Sequence, residues 1–393
     1  MAMPTAHTLL SRPLAPASHR VRCVVDRLLM ALFIIILILP LAASAVGLGA
    51  ATDQSENHRT SSRPVFSGHW RDLAGLLGAW DSYFDDRFGL RATAIHAYNV
   101  AVFRWLHVSP SSTVLVGKDG WLFYADDGAL QDFLSAQPFA PADLEQWRQT
   151  LQDTHDWLAA RGITYVFVVA PDKHVIYPEY MPDGLHPLQA RSRLDQLVSY
   201  LKQHTTVAIV DLRAPLLAAK THERVFHRTD THWNDLGAFV GYQSIMTALS
   251  QRGPALKPWP ASAFHERVTA TPGLDLARML GLTGDTTEER LDLVPNIPRR
   301  ARIIEPANPD PDYEEGRLVT AIVGSDLPRA VIFRDSFTSA LIPFLSEHFS
   351  RAVYLWQNDF DPDVVEQEHP QIVIQELVGR RLTTYLPYDA VAR

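Results

Sequence analysis

One cysteine in 393 residues is the first constraint the chain imposes. Cys23 precedes a long apolar run, so everything after that run lacks a thiol, which excludes disulfides and thiol catalysis there. There is no HExxH pair and no Cys/His cluster at metal-finger spacing, although 16 histidines are scattered along the chain. A Gly-rich phosphate loop is missing as well, which argues against a nucleotide-bearing ligand. Basic residues form no stripe: 36 Lys and Arg are interspersed with 44 Asp and Glu, for a net charge of −8, so no nucleic-acid partner is expected. What is plentiful is apolar residue, 47% of the chain, enough for a large core without covalent staples.

Charge is also missing from Leu28 to Thr52, and Leu28 to Leu39 reads LLMALFIIILIL, a membrane-targeting segment. Arg12, Arg20, Arg22 and Arg27 precede it with a single acid, Asp26, which by the positive-inside rule predicts a cytoplasmic N-terminus. The expected organisation is a cytoplasmic tail (1–27), a signal anchor (28–50), a tether and helical lead-in (51–110) and an exported domain (111–393). A cleaved signal peptide is the competing reading, because Pro40 follows the run and Ala43-Ser44-Ala45 resembles a cleavage site. Both readings export the same domain, which is expected at the inner membrane facing the periplasm.

Periodicity then sketches the domain. Leu73, Leu76, Leu77, Trp80, Tyr83 and Phe84 suggest amphipathic helix between Trp70 and Val108, and LVGKDGWLFY (Leu115 to Tyr124) reads as a hairpin about a Lys118-Asp119-Gly120 turn. Pro141 opens a helix carrying Leu144, Trp147, Leu151 and Leu158 and ending at Gly162. Short apolar runs follow at 164–170, 207–212, 330–333, 352–356 and 371–377, separated by helical patterns at 194–203, 236–251 and 339–349. Buried strands alternating with helices predict a doubly wound, mostly parallel α/β sheet. Between 254 and 329 the rhythm breaks into proline-rich sequence, predicting an insertion that carries a hairpin of its own and either lines a ligand groove or only packs.

Reactive groups in such folds gather at the carboxyl ends of the strands. In AVIFRDSF a strand ending at Phe333 turns through Arg334 and Asp335 to Ser336, exposed at a helix mouth where backbone N–H groups can stabilise an oxyanion. Alone, Ser336 would more often be a cap. HRTDTHWND (His227 to Asp235) sets Asp230 and His232 two apart, the carboxylate and imidazole that a serine nucleophile requires. Alone, they would more often be an Asp230–Arg228 surface pair and a core histidine. A metal reading through His227, Asp230 and His232 matches no strong template. Asn234 or Asp235 would cap the next helix.

RTDTHW with the later RDSF, together with GKDGWLFY and PDKHVIYPEYMP (Pro171 to Pro182), resembles the SGNH-hydrolase-like domain of the AlgX/AlgJ type of alginate O-acetyltransferases, from about Gly117 to Arg381. The resemblance implies Asp230, His232 and Ser336 as a catalytic triad. Beside it, Lys173 and Arg334 are candidates to orient substrate charge, or else a solvent-facing turn residue and a structural ion pair, and Trp233 is a candidate to stack on a sugar, although a tryptophan beside a helix start is more often core. It implies acetyl transfer to an acidic exopolysaccharide, with a membrane-bound O-acyltransferase as acetyl source, other polysaccharide-biosynthesis proteins as partners, and no cofactor or resident metal. The serine follows the Asp-x-His pair instead of preceding it, as in most SGNH enzymes, and the spacing within that pair also departs from the wider pattern; the alginate branch shares both features. Arg334 replaces the usual glycine, which leaves the oxyanion donors unassigned apart from the Ser336 N–H. An acetylesterase and a noncatalytic polysaccharide-binding subunit are the alternatives.

Overall fold

The computed structural model describes residues 19–45, 63–65, 73–87, 89–250, 256–306 and 316–391. The first part of the expected tail and most of the expected tether lie outside them. The chain divides into two units, Met1–Ala97 and Tyr98–Arg393. In the first, His19–Ala45 forms a 27-residue helix whose apolar side chains from Val24 to Leu39 are largely exposed. Among the described residues no helix is long and apolar enough to cross a membrane. A second helix, Leu73–Arg87, occupies the expected amphipathic stretch.

Among the described residues, eleven strands organise the larger unit. β1 (Val114–Val116) and β2 (Leu122–Tyr124) form the expected hairpin, with Asp119 and Gly120 at positive φ in its turn. β3 (Thr164–Ala170) and β4 (Ala208–Asp211) follow, then β5 (Phe264–Pro272) and β6 (Thr287–Pro295), an antiparallel ribbon. β7 (Arg302–Glu305), β8 (Arg317–Ala321), β9 (Arg329–Arg334), β10 (Arg351–Trp356) and β11 (Ile372–Val378) complete the set. The main sheet runs β4-β3-β11-β9-β10-β8-β7. Its pairings are parallel from β4 through to β10 and antiparallel at the β8 and β7 edge. The insertion is therefore only partly outside the sheet: its ribbon β5–β6 stands apart, while β7 and β8 extend the sheet antiparallel.

Period-two alternation sorts each central strand between two apolar layers. Val166, Val168 and Ala170 of β3 join Ile372, Ile374 and Val378 of β11 on one face, under Phe239, Tyr242, Ile245 and Leu249 of the helix Asp235–Ser250. Tyr165, Phe167 and Val169 join Val373 and Leu377 on the other, under Trp147, Leu151 and Leu158 of Pro141–Ala159 and Leu194, Leu197 and Leu201 of Arg193–His204. Burial on both faces is why these strands read as unbroken apolar runs. The expected helix at 339–349 is instead a chain of short turns, Ser336–Ala340, Ile342–Leu345 and Ser346–His348. Pro343 has no N–H to give and its ring crowds the preceding turn, so one continuous helix cannot form.

At the amino edge of the sheet, three arginines from neighbouring strands converge on one carboxylate. Glu368 accepts from Arg317 at 2.5 Å, Arg329 at 2.8 Å and Arg351 at 2.8 Å, tying β8, β9 and β10 together. Arg351, and after it Arg317, hold the Glu368 carboxyl down at about 2 despite its burial. Glu368→Gln should therefore cost about 2 kcal/mol at pH 7, discounted because the arginines are partly solvated. Since the folded value lies below the unfolded one, that contribution is present above about pH 4 and disappears as pH falls toward 2. Urea denaturation of both proteins at pH 7 and pH 3 measures it, the gap between them narrowing at the lower pH.

Candidate active site

Three strand ends supply the floor of the site. β3 leads into Pro171-Asp172-Lys173, β11 into Gly379-Arg380 and β9 into Asp335-Ser336. The Asp335 carboxylate accepts from the N–H of Phe337 at 2.9 Å and of Val378 at 2.7 Å, fixing the turn that carries Ser336 to the neighbouring strand. Below it, Glu376 accepts from Asp335 N–H and from the Thr338 hydroxyl. Burial, reinforced by Asp335, pushes the Glu376 carboxyl well above the ordinary carboxylate range. The N–H groups on either side of Ser336 are thus committed, whereas among the described residues the Ser336 N–H has no protein acceptor.

The loop from His227 to His232 arches over this floor, closed by a bridge between Phe226 and Trp233. Its anchor is the Lys173 ammonium, which donates to the carbonyls of His227 at 3.1 Å, Arg228 at 3.0 Å and Asp230 at 2.6 Å. Burial pulls Lys173 down to about 8, with Asp275 and Asp230 opposing the fall, so it is still mostly cationic at neutral pH. Its three protons are all committed to the loop. The motif segments meet around it: Trp121 stacks on Tyr180 with ring centroids 4.7 Å apart, and a Cβ at Gly117 would collide with the Tyr180 carbonyl.

Thus placed, His232 bridges the two halves. Its Nδ1–H donates to Asp230 Oδ1 at 2.9 Å, and its Nε2 accepts from Ser336 Oγ at 2.8 Å. Asp230 Oδ1 also accepts the His232 backbone N–H, which locks the pair into one conformation. Burial would lower the His232 pKa, but the bond to Asp230 and the charges of Asp230 and Asp275 outweigh it; Arg380 opposes, and the net shift is upward. Asp230 is buried too, yet the His232 bond holds its carboxyl far below the usual range. Such a chain of carboxylate, imidazole and hydroxyl can draw the serine proton away and store it on a stabilised imidazolium. The sequence residues Asp230, His232 and Ser336 are thus brought together.

The other three sequence candidates are not brought to a ligand. Trp233 is 2% exposed, its indole N–H donating to the Phe337 carbonyl, so it cannot stack on a sugar. Arg334 is 1% exposed, with its guanidinium over Trp356 and bonded to Ser339, and thus holds the β9 turn. Lys173 has no donor left for a substrate. Asp230 does not pair with Arg228, and His227 lies 3.9 Å from Glu288 instead of joining Asp230 and His232 as a ligand set. Asn234 does cap the helix that begins at Asp235: its Oδ1 accepts the Gly237 N–H at 3.0 Å.

Sequence reasoning missed the outer ring. Arg380 donates to Asp172 at 2.7 Å beside His232. From the insertion, Asp275 accepts the Thr231 N–H at 2.7 Å, and Glu288 accepts the Thr229 N–H and hydroxyl while pairing with Arg224. Acids in a proline-rich insertion gave no local signal of reaching a loop more than 40 positions earlier. Among the described residues, two groups of side chains have ligand atoms close enough for a metal ion, Asp132/Asp172/His174 and Asp230/His232/Asp275. In the first, Asp172 is held by Arg380 and His174 faces Asp132 at 3.2 Å; in the second, both ring nitrogens of His232 already have partners.

Residues 114–325 match the family described as "SGNH hydrolase-like domain, acetyltransferase AlgX", more than half of the chain. Among curated proteins, the probable alginate O-acetylase AlgJ of Pseudomonas syringae pv. tomato is 26% identical over 74% of this chain and 66% of its own length, just under two thirds. The probable alginate O-acetylase AlgJ of Pseudomonas fluorescens is 26% identical over 81% of this chain and 80% of its own. Bacillus cereus PatB1 shares the fold, with a TM-score of 0.51 at 16% identity over 68% of this chain and 96% of that one.

The His232 imidazole gives a direct test of the geometry. An NMR titration should place its midpoint above the ordinary value of about 6.5, and Asp230→Asn should lower it by at least about one unit.

Proposed function

The chain belongs to the family of AlgX-type SGNH hydrolase-like acetyltransferase domains, and from that premise we propose that it is an O-acetyltransferase acting on an exported acidic polysaccharide, alginate or a close relative. The observation that carries the reading is the hydrogen-bonded chain from Asp230 through His232 to Ser336. The two curated relatives are named as probable alginate O-acetylases, which supports the reaction and the substrate class.

In the first half-reaction Ser336 Oγ attacks the acetyl carbonyl as its proton passes to His232 Nε2. The carbonyl oxygen becomes an oxyanion facing the Ser336 N–H, the uncommitted donor at the turn. Collapse breaks the bond to the donor's leaving group, which takes the proton from His232 and leaves an acetyl ester on Ser336. In the second, a sugar hydroxyl gives its proton to His232 and attacks that ester, and the proton returns to Ser336 Oγ as it departs. Asp230 keeps Nδ1 protonated and stabilises the imidazolium in both halves.

A membrane-bound O-acyltransferase is the proposed acetyl source, and other polysaccharide-biosynthesis proteins the remaining partners. An anchored domain on the periplasmic face of the inner membrane suits a donor that arrives by relay. Support for the anchor comes from the sequence alone, the charge-free stretch from Leu28 to Thr52 with its apolar run Leu28 to Leu39.

Ser336→Ala, at equal protein abundance, should abolish O-acetylation of the secreted polymer; unchanged acetyl content would overturn the assignment. An acetylesterase would behave differently: the wild-type domain would strip acetyl groups from polymer in water and transfer none to added oligosaccharide.

A further inference from the structure

The insertion between 254 and 329 returns to the loop at Thr229 and at Thr231, the latter being the residue between the proposed triad's acid and base. Gly273 is pinched against Thr286, where a Cβ would lie 1.9 Å from the Thr286 hydroxyl, and its N–H donates to the carbonyls of Thr283 and Thr286. The short helix Asp275–Met279 follows at once. Its first turn is stitched to the loop: the N–H groups of Leu276 and Ala277 reach the Thr229 carbonyl, and Leu274 N–H reaches the Thr229 hydroxyl. That places Asp275 with Oδ1 on the Thr231 N–H at 2.7 Å and Oδ2 3.9 Å from His232 Nδ1.

We propose that Asp275 is a positioning residue for the His232 base, an acid supplied by the insertion that fixes the loop through Thr231 and sets a second negative charge behind the imidazole. The inference rests on the acetyl-transfer reading for its purpose, though its geometry stands on the contacts above. His232 is faced by Asp230 from its own loop, Asp275 from the insertion, Arg380 from the end of β11 and Ser336 from the end of β9. Lys173, from the end of β3, lies near both Asp230 and Asp275, and His227 and Glu288 lie behind Asp230. Burial keeps His227 on its neutral side, so Arg380 is the cation at His232 that the carboxylates must outweigh, while Lys173 stands against Asp275 and Asp230. Asp230 alone would face Arg380. With Asp275 added, the imidazolium formed at each half-reaction has two acids on its Nδ1 edge, and the resting imidazole is the stronger base.

Asp275→Asn tests this, because the amide oxygen can still accept the Thr231 N–H while the charge is gone. The His232 midpoint, read by NMR, should fall by about one unit. With an aryl acetate as acetyl donor, the acid limb of kcat/KM should move down with it, and kcat should drop about tenfold with KM nearly unchanged. A residue that only packs the insertion would leave both midpoints in place. If the asparagine variant does not fold, Asp275→Ser, smaller and still an acceptor, serves for the same measurements. An unmoved His232 midpoint in a folded variant overturns the inference. Activity that survives Ser336→Ala would instead overturn the acetyl-transfer reading, and the NMR midpoint would still report on Asp275.

Discussion

Everything in this site depends on one imidazole being held between two partners that come from different parts of the chain. His232 must meet Asp230 at 2.9 Å on one side and Ser336 at 2.8 Å on the other. Asp230 is two residues away, and the shared Asp230 Oδ1 acceptor makes that contact nearly automatic. Ser336 is 104 residues away, so the second contact has to be built. The parallel sheet does the long-range part by delivering β3, β9 and β11 to one edge. Lys173 does the short-range part by pulling three loop carbonyls down onto that edge.

Such a loop is costly to hold, and the chain offsets the cost with buried charge. Lys173 and Arg380 stand against Asp230, Asp275, Glu288 and Asp172 around the loop. Buried ions are unfavourable one at a time and tolerable only when their partners are all in place. That mutual dependence makes the arrangement stiff, which suits a site whose reacting atoms must be in place before substrate arrives. It also explains why Lys173, Arg334 and Trp233 turn inward. A motif residue beside a reactive group can be a strut instead of a contact, and their exposures of 4%, 1% and 2% decide for the strut.

The parts of the fold that were legible in sequence are those where periodicity and burial coincide. β3 appears as Thr164 to Ala170 in both readings because a strand buried on two faces cannot be disguised. The hairpin at Lys118-Asp119-Gly120 is legible for the same local reason, turn chemistry. Sequence failed where a local pattern was overruled or absent. The apolar stretch after Ser336 has helical spacing, but Pro343 breaks it into turns. β7 and β8 were hidden in the insertion: β7 is a short, exposed edge strand that pairs by backbone, and β8, between it and β10, carries only Leu318 and Val319 as large apolar residues. Of the site, the three central residues were legible only through motif order. The acids that hold them, Asp275 and Glu288, come from residues whose neighbours say nothing about where their chain will fold back.

The central claim is that Ser336 carries the acetyl group between donor and sugar. Incubating the protein with an acetyl donor, quenching in acid and mapping peptides by mass spectrometry tests it most directly. The account predicts one acetyl group on the peptide containing Ser336, lost on addition of acceptor oligosaccharide and absent from His232→Ala. Acetyl transfer to the oligosaccharide in a Ser336→Ala protein, or a label that resides on any other residue, would contradict it.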